Sequence, residues 1–184
     1  MSEWMIIDHC APTLAGLKTG NLFSCSYESK EQLWEELKKF NRIFVKKGIR
    51  MIPLKAEGSR ALIYLYRPQR LQKDMDRHPL SREILKKQGY SDPDPAKCIV
   101  ELVRRLHDNS DFPHEIGLFL GYPPEDVYGF IEHKNEGCKC AGCWKVYGDE
   151  EYAQKCFASY KKCTLVYRNQ FSKGKSIEQL TVAV

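Results

Sequence analysis

Apolar positions recur along this chain at two different spacings, and each spacing predicts its own kind of element. Leu33, Leu37, Phe40 and Phe44 step by four, three and four residues behind the capping box of Ser29 and Gln32, which predicts a helix over about 30–47 closed by Gly48. Ile99, Leu102, Val103 and Leu106 repeat that spacing after Pro95 and predict another helix, with Cys98 beside its core face. Asp149 can cap a third, along which Tyr152, Ala153, Phe157 and Tyr160 form an apolar and aromatic stripe. Cys156 and Cys163 lie two turns apart on that stripe and are expected to pack in the core. By contrast, IRMIPL and RALIYLY are short β-rich runs around a glycine-containing turn, which predicts a hairpin across 49–66. Pro53 cannot donate to a ladder, so its strand belongs at an edge or carries a bulge there.

The remaining segments read less regularly. Residues 4–7 look like a short strand, after which Pro12 can open a helix that Gly20 stops, leaving Cys10 just before its first turn. Basic residues from Arg67 to Lys87 spread over two short helices broken at His78 and Pro79. The densest pattern covers 112–133. Pro113 suits a helical first turn, Ile116, Phe119 and Leu120 share one face, and Gly121 with Pro123 and Pro124 makes a hinge. Glu125 and Asp126 then open a second helix with Val127, Phe130 and Ile131 on its apolar face. A cysteine loop follows, residues 144–148 form a candidate third strand for the hairpin, and SIEQLTVAV ends the chain as a short helix or strand. These elements predict an α+β fold: a mostly helical single domain over 1–184 with a small antiparallel sheet.

With 184 residues, the chain can bury a core without disulfides. Its hydrophobic fraction of 42% and charged fraction of 29% are those of an ordinary globular protein. No apolar run approaches the roughly 18 residues of a membrane span, and the first ten residues carry an acidic side chain where a secretion signal would be basic. A cytoplasmic protein is expected. Eight cysteines in that setting point to reduced thiols, metal ligands or redox chemistry before disulfides.

A net charge of +5 is too mild to imply nucleic acid. No aromatics interleave the basic residues between 69 and 88, as single-strand binding would require. The hinge at 121–124 resembles a helix-turn-helix turn, yet Glu125, Asp126 and Glu132 would repel phosphate. Lys18, Thr19, Gly20 and Asn21 lack the glycine spacing of a phosphate loop.

Two groups of residues could carry chemistry. Cys138, Cys140 and Cys143 form a C-x-C-x2-C cluster that could supply three thiolates to zinc or an iron–sulfur cluster, with the fourth ligand coming from His133, Cys10, Cys25 or outside the protein. Surface thiols beside a tight turn are the plainer reading. Cys10 and His114, both expected at helix starts, could pair as nucleophile and base. Glu115 could orient the imidazole or act itself, although His114 and Glu115 could equally just charge a helix start.

Four segments resemble an uncharacterised bacterial family, domain-of-unknown-function family 3793. They are Cys10-Ala11-Pro12-Thr13-Leu14-Ala15-Gly16 with Lys18 and Asn21; His114-Glu115-Ile116-Gly117 with Phe119-Leu120-Gly121-Tyr122-Pro123; Glu125-Asp126-Val127 with Gly129-Phe130; and Trp144-Lys145-Val146-Tyr147-Gly148. The resemblance spans nearly the whole chain and implies no established activity. Relatives do not generally carry the full cysteine trio, which shifts weight toward Cys10, His114 and Glu115. The leading expectation is therefore a protein that binds a small molecule or metal ion. Its site would gather Cys10, Thr13, Lys18, Asn21, His114, Glu115, Tyr122, Lys145 and Tyr147. The alternatives are a thiol enzyme built on Cys10 and His114, and a protein-interaction module without chemistry.

Overall fold

The computed structural model describes residues 1–108, 111–134 and 136–183. Helices dominate, and the strands form one three-stranded and one two-stranded antiparallel sheet, so the predicted α+β class holds. The chain divides into two compact units, Met1–Gln69 with Tyr160–Val184, and Arg70–Ser159.

The first unit is built on α1 (Glu3–Leu14), β1 (Gly20–Ser26), α2 (Lys30–Phe44), β2 (Arg50–Glu57), β3 (Arg60–Tyr66) and the C-terminal α9 (Ile177–Leu180). Ser29 caps α2 by accepting from the Gln32 N–H at 3.1 Å, and Gly48, at φ 74°, closes the 3₁₀ turn that follows. The sheet runs β1-β3-β2, with Ile63 and Leu65 of the central strand wholly buried among Ile6, Leu14, Leu33, Phe40 and Phe44. A register shift between Pro53 and Lys55 marks a bulge in the edge strand β2, as the missing proline N–H predicts.

Two expectations are corrected here. Residues 4–7 are not a strand but part of α1, whose buried Ile6, Ile7, Cys10, Ala11 and Leu14 trace a helical stripe. Pro12 is accommodated near the end of that helix rather than at its start. The third strand of the main sheet is β1, not 144–148. Its residues 20–26 pair with β3 from Gly20↔Tyr66 to Ser26↔Arg60.

Arg67, only 2% exposed, ties this unit together. Its guanidinium donates to the carbonyls of Thr13 (2.8 Å), Leu14 (2.9 Å), Lys47 (3.2 Å) and Val182 (2.7 Å). Two of those belong to the last turn of α1, where carbonyls lack helical partners and a cation suits the dipole.

The second unit holds most of α3 (Pro68–Arg77), then α4 (Pro79–Lys87), α5 (Pro95–Asp108), α6 (Ile116–Phe119), α7 (Pro124–His133), the hairpin β4 (Cys140–Ala141) and β5 (Lys145–Val146), and the first part of α8 (Glu150–Ser172). The predicted hinge is present. Gly121, at φ 76°, ends α6, and Pro124 opens α7. Residues 145–146 pair with 140–141 (Cys140↔Val146, Ala141↔Lys145). Asp126, 2% exposed, locks this hairpin to α7 by accepting from Trp144 Nε1 (2.7 Å) and from the backbone N–H groups of Tyr147 (2.7 Å) and Gly148 (2.8 Å). Trp144 packs between Tyr122 and Phe157, with ring centroids at 4.9 and 4.5 Å. Among the described residues, no helix is long and apolar enough to cross a membrane.

Candidate functional site

Glu115 is the centre from which a site can be built. It lies in the turn before α6 and is 1% exposed, where an ionised carboxylate needs partners. Arg105 Nε donates to its Oε1 at 2.8 Å, and the Tyr90 hydroxyl donates to the same oxygen at 3.1 Å. Arg105 reaches this place because it follows Leu102 by three residues on α5, beside the buried face. Its other nitrogens donate to the Gln88 carbonyl (2.6 Å) and to Gln88 Oε1 (3.3 Å) at the end of α4. Gly89, at φ 88°, turns the chain there and brings Tyr90 under the guanidinium, 5.6 Å from the ring. Burial, then the adjacent Glu115 charge, pushes the Tyr90 phenol far above its ordinary pKa, so it stays a donor.

Glu115, Arg105 and Gln88 of this network form one wall of a cleft of about 500 Å³. Asp108, Asp111, Phe112 and His114 continue the lining, together with Pro113 and Ile131. His114 is exposed and stands edge-on to Phe130, with centroids 4.8 Å apart and planes at 89°. Phe112 is 49% exposed. Such a concave surface, part aromatic and part carboxylate over a fixed polar base, can hold a small organic molecule.

The residues singled out in the sequence fall into two groups. Cys10, Thr13, Lys18 and Asn21 belong to the first unit. There the Thr13 hydroxyl donates to Asn21 Oδ1 at 2.6 Å, and the Lys18 charge acts on the Cys10 thiol. The expectation that Cys10 stands at a helix start is corrected: it lies in the body of α1 with no exposed surface. Burial pushes its thiol far above the ordinary value, against the smaller opposing effect of Lys18. The helix-dipole argument for a thiolate does not apply at that position.

His114, Glu115, Tyr122, Lys145 and Tyr147 belong to the second unit. Lys145 Nζ lies 5.6 Å from the Phe130 ring that His114 also contacts. Tyr122 stacks on Trp144, and burial pushes its phenol up to about 12. The Tyr147 hydroxyl donates to the Lys134 carbonyl, and its ring lines a separate cavity of about 430 Å³ with His133 and Glu136. Cys138 and Cys140 are half-buried, and Cys143 is exposed. Among the described residues, no three or more His, Cys, Asp or Glu side chains gather as a metal ion would need. Cys140 is held in β4 opposite Val146.

Sequence reasoning missed Arg105 and Tyr90, and the part Asp126 plays in holding the hairpin. A readable signal existed for the first, since an arginine three residues beyond Leu102 falls beside a core face and calls for a buried partner.

Fold and site together define an α+β protein carrying a cleft beside an Arg-Glu-Tyr network centred on a buried carboxylate. The family model described as "Protein of unknown function (DUF3793)" matches residues 6–181, and the chain belongs to that family. Searches of curated proteins and of solved structures gave no match.

Proposed function

We propose that this protein binds a small organic molecule in the cleft beside His114 and Glu115. The observation that supports this most is Glu115 itself: a carboxylate 1% exposed, held on one oxygen by Arg105 and Tyr90, at the wall of a 500 Å³ cleft. Buried charge is costly, and a hydrophobic wall would serve packing as well. A fixed polar group facing a cleft is what ligand orientation needs. On this reading Cys10 is a core residue, and the function is binding without a thiol step. A ligand-detected NMR screen with fragments of mixed charge tests it. Fragments are expected to bind the wild-type chain, and replacing Phe112 and His114 together with alanine should remove most of them. Hits unaffected by that double substitution would refute the proposal.

A further inference from the structure

The geometry points to a small organic cation, an aromatic or alkyl ammonium, as the ligand class of this cleft. The inference rests on the cleft being the binding site and adds the charge of what enters it. Both hydrogen bonds to Glu115 fall on Oε1, and among the described residues none falls on Oε2. Glu115 lines the cleft with its side chain 2% exposed, so Oε2 is the carboxylate oxygen with lone pairs left for what enters there. A nearly buried carboxylate oxygen with spare lone pairs accepts from an N–H donor and repels an anion.

The other charges agree. Asp108 and Asp111 also line the cleft, which sets three carboxylates against the single guanidinium of Arg105. Arg105 is already committed, since each of its three nitrogens donates to Glu115 or Gln88. Arg104 offsets part of this, pairing with Asp108 at 3.2 Å on the exposed side, and Lys145, 5.6 Å from the Phe130 ring, is not among the residues that line the cleft. With Arg105 paired to Glu115 and Arg104 to Asp108, Asp111 leaves the lining one negative charge in excess. The aromatic rings of Phe112 and His114 add faces against which an ammonium group or its apolar body can pack.

Calorimetric and NMR titration of the full chain with benzylammonium, benzoate and benzyl alcohol tests the assignment. Benzylammonium should bind saturably, with benzoate weaker by about tenfold or more, the equivalent of one charge-assisted hydrogen bond. Glu115→Gln should weaken benzylammonium by roughly tenfold. Asp111→Asn, an exposed change that leaves the buried network intact, should weaken it by about two- to fivefold, the range of an exposed ion pair. Benzoate or benzyl alcohol binding the cleft as tightly as benzylammonium would overturn the charge assignment while leaving the binding proposal standing. No effect from Asp111→Asn and a folded Glu115→Gln would overturn it as well. Entry of none of the three probes would overturn both.

Discussion

Replacing Asp126 with alanine should cost the second unit a large part of its stability. The carboxylate accepts three hydrogen bonds, from Trp144 Nε1 to one oxygen and from the Tyr147 and Gly148 backbone N–H groups to the other. Hydrogen bonds to a charged acceptor contribute about 1.5–3 kcal/mol each, and a buried donor left unpaired costs about 1–3 kcal/mol. The three donors share one acceptor and the two amides are partly buried, so the sum is discounted to roughly 3–5 kcal/mol. Asparagine should cost about half as much. Its amide oxygen can keep both backbone donors, but its amide nitrogen then faces the indole N–H, donor against donor. Urea unfolding followed by Trp144 fluorescence, with Trp4 and Trp34 changed to phenylalanine, reads this unit directly. A loss below about 1 kcal/mol for alanine, less than one typical charged hydrogen bond, would refute the reasoning. So would an asparagine variant as stable as the parent.

Three further outcomes are expected. Iodoacetamide should modify exposed Cys143 first and wholly buried Cys10 only on unfolding, as read by peptide mass mapping; equal rates would contradict the placement of Cys10. Gly129→Ala should destabilise by about 1–3 kcal/mol in thermal melts, because a Cβ there would lie 2.4 Å from Tyr147 Cγ; the gain in helix propensity of about 1 kcal/mol should not offset it. Burial pushes the Cys98 and Cys163 thiols up from 9.0 to about 11. The unfolded thiols ionise first, so their contribution to stability is complete below pH 9 and is lost as pH rises toward about 11. Urea midpoints at pH 8 and 10.5 should show that fall, and replacing both cysteines with alanine should reduce it.

Local features carried much of the fold. The Ser29 cap, the 99–106 periodicity, the Gly121 hinge and the Pro53 bulge each depend on a few neighbouring residues, and all four appear in the structure. Failures came where the answer depends on distant partners. The apolar run at 4–7 fits a strand or a buried helix equally well, and only the longer stripe through Cys10 and Leu14 favours the helix. Residues 145–146 are extended, but which strand they pair with is decided by tertiary packing, here through the Asp126 lock. The site was legible only in part for the same reason. His114 and Glu115 drew notice because packing did not require them, whereas Arg105 and Tyr90 gain meaning only when α5 and the end of α4 come together around that carboxylate.

The most direct test of the cleft follows the His114 imidazole proton resonances during a benzylammonium titration of the wild-type chain. A saturable shift at His114, with parallel amide shifts at Glu115 and Ile131, is the expected result. An unmoved His114, or saturable shifts confined to His133 and Tyr147 around the other cavity, would contradict it.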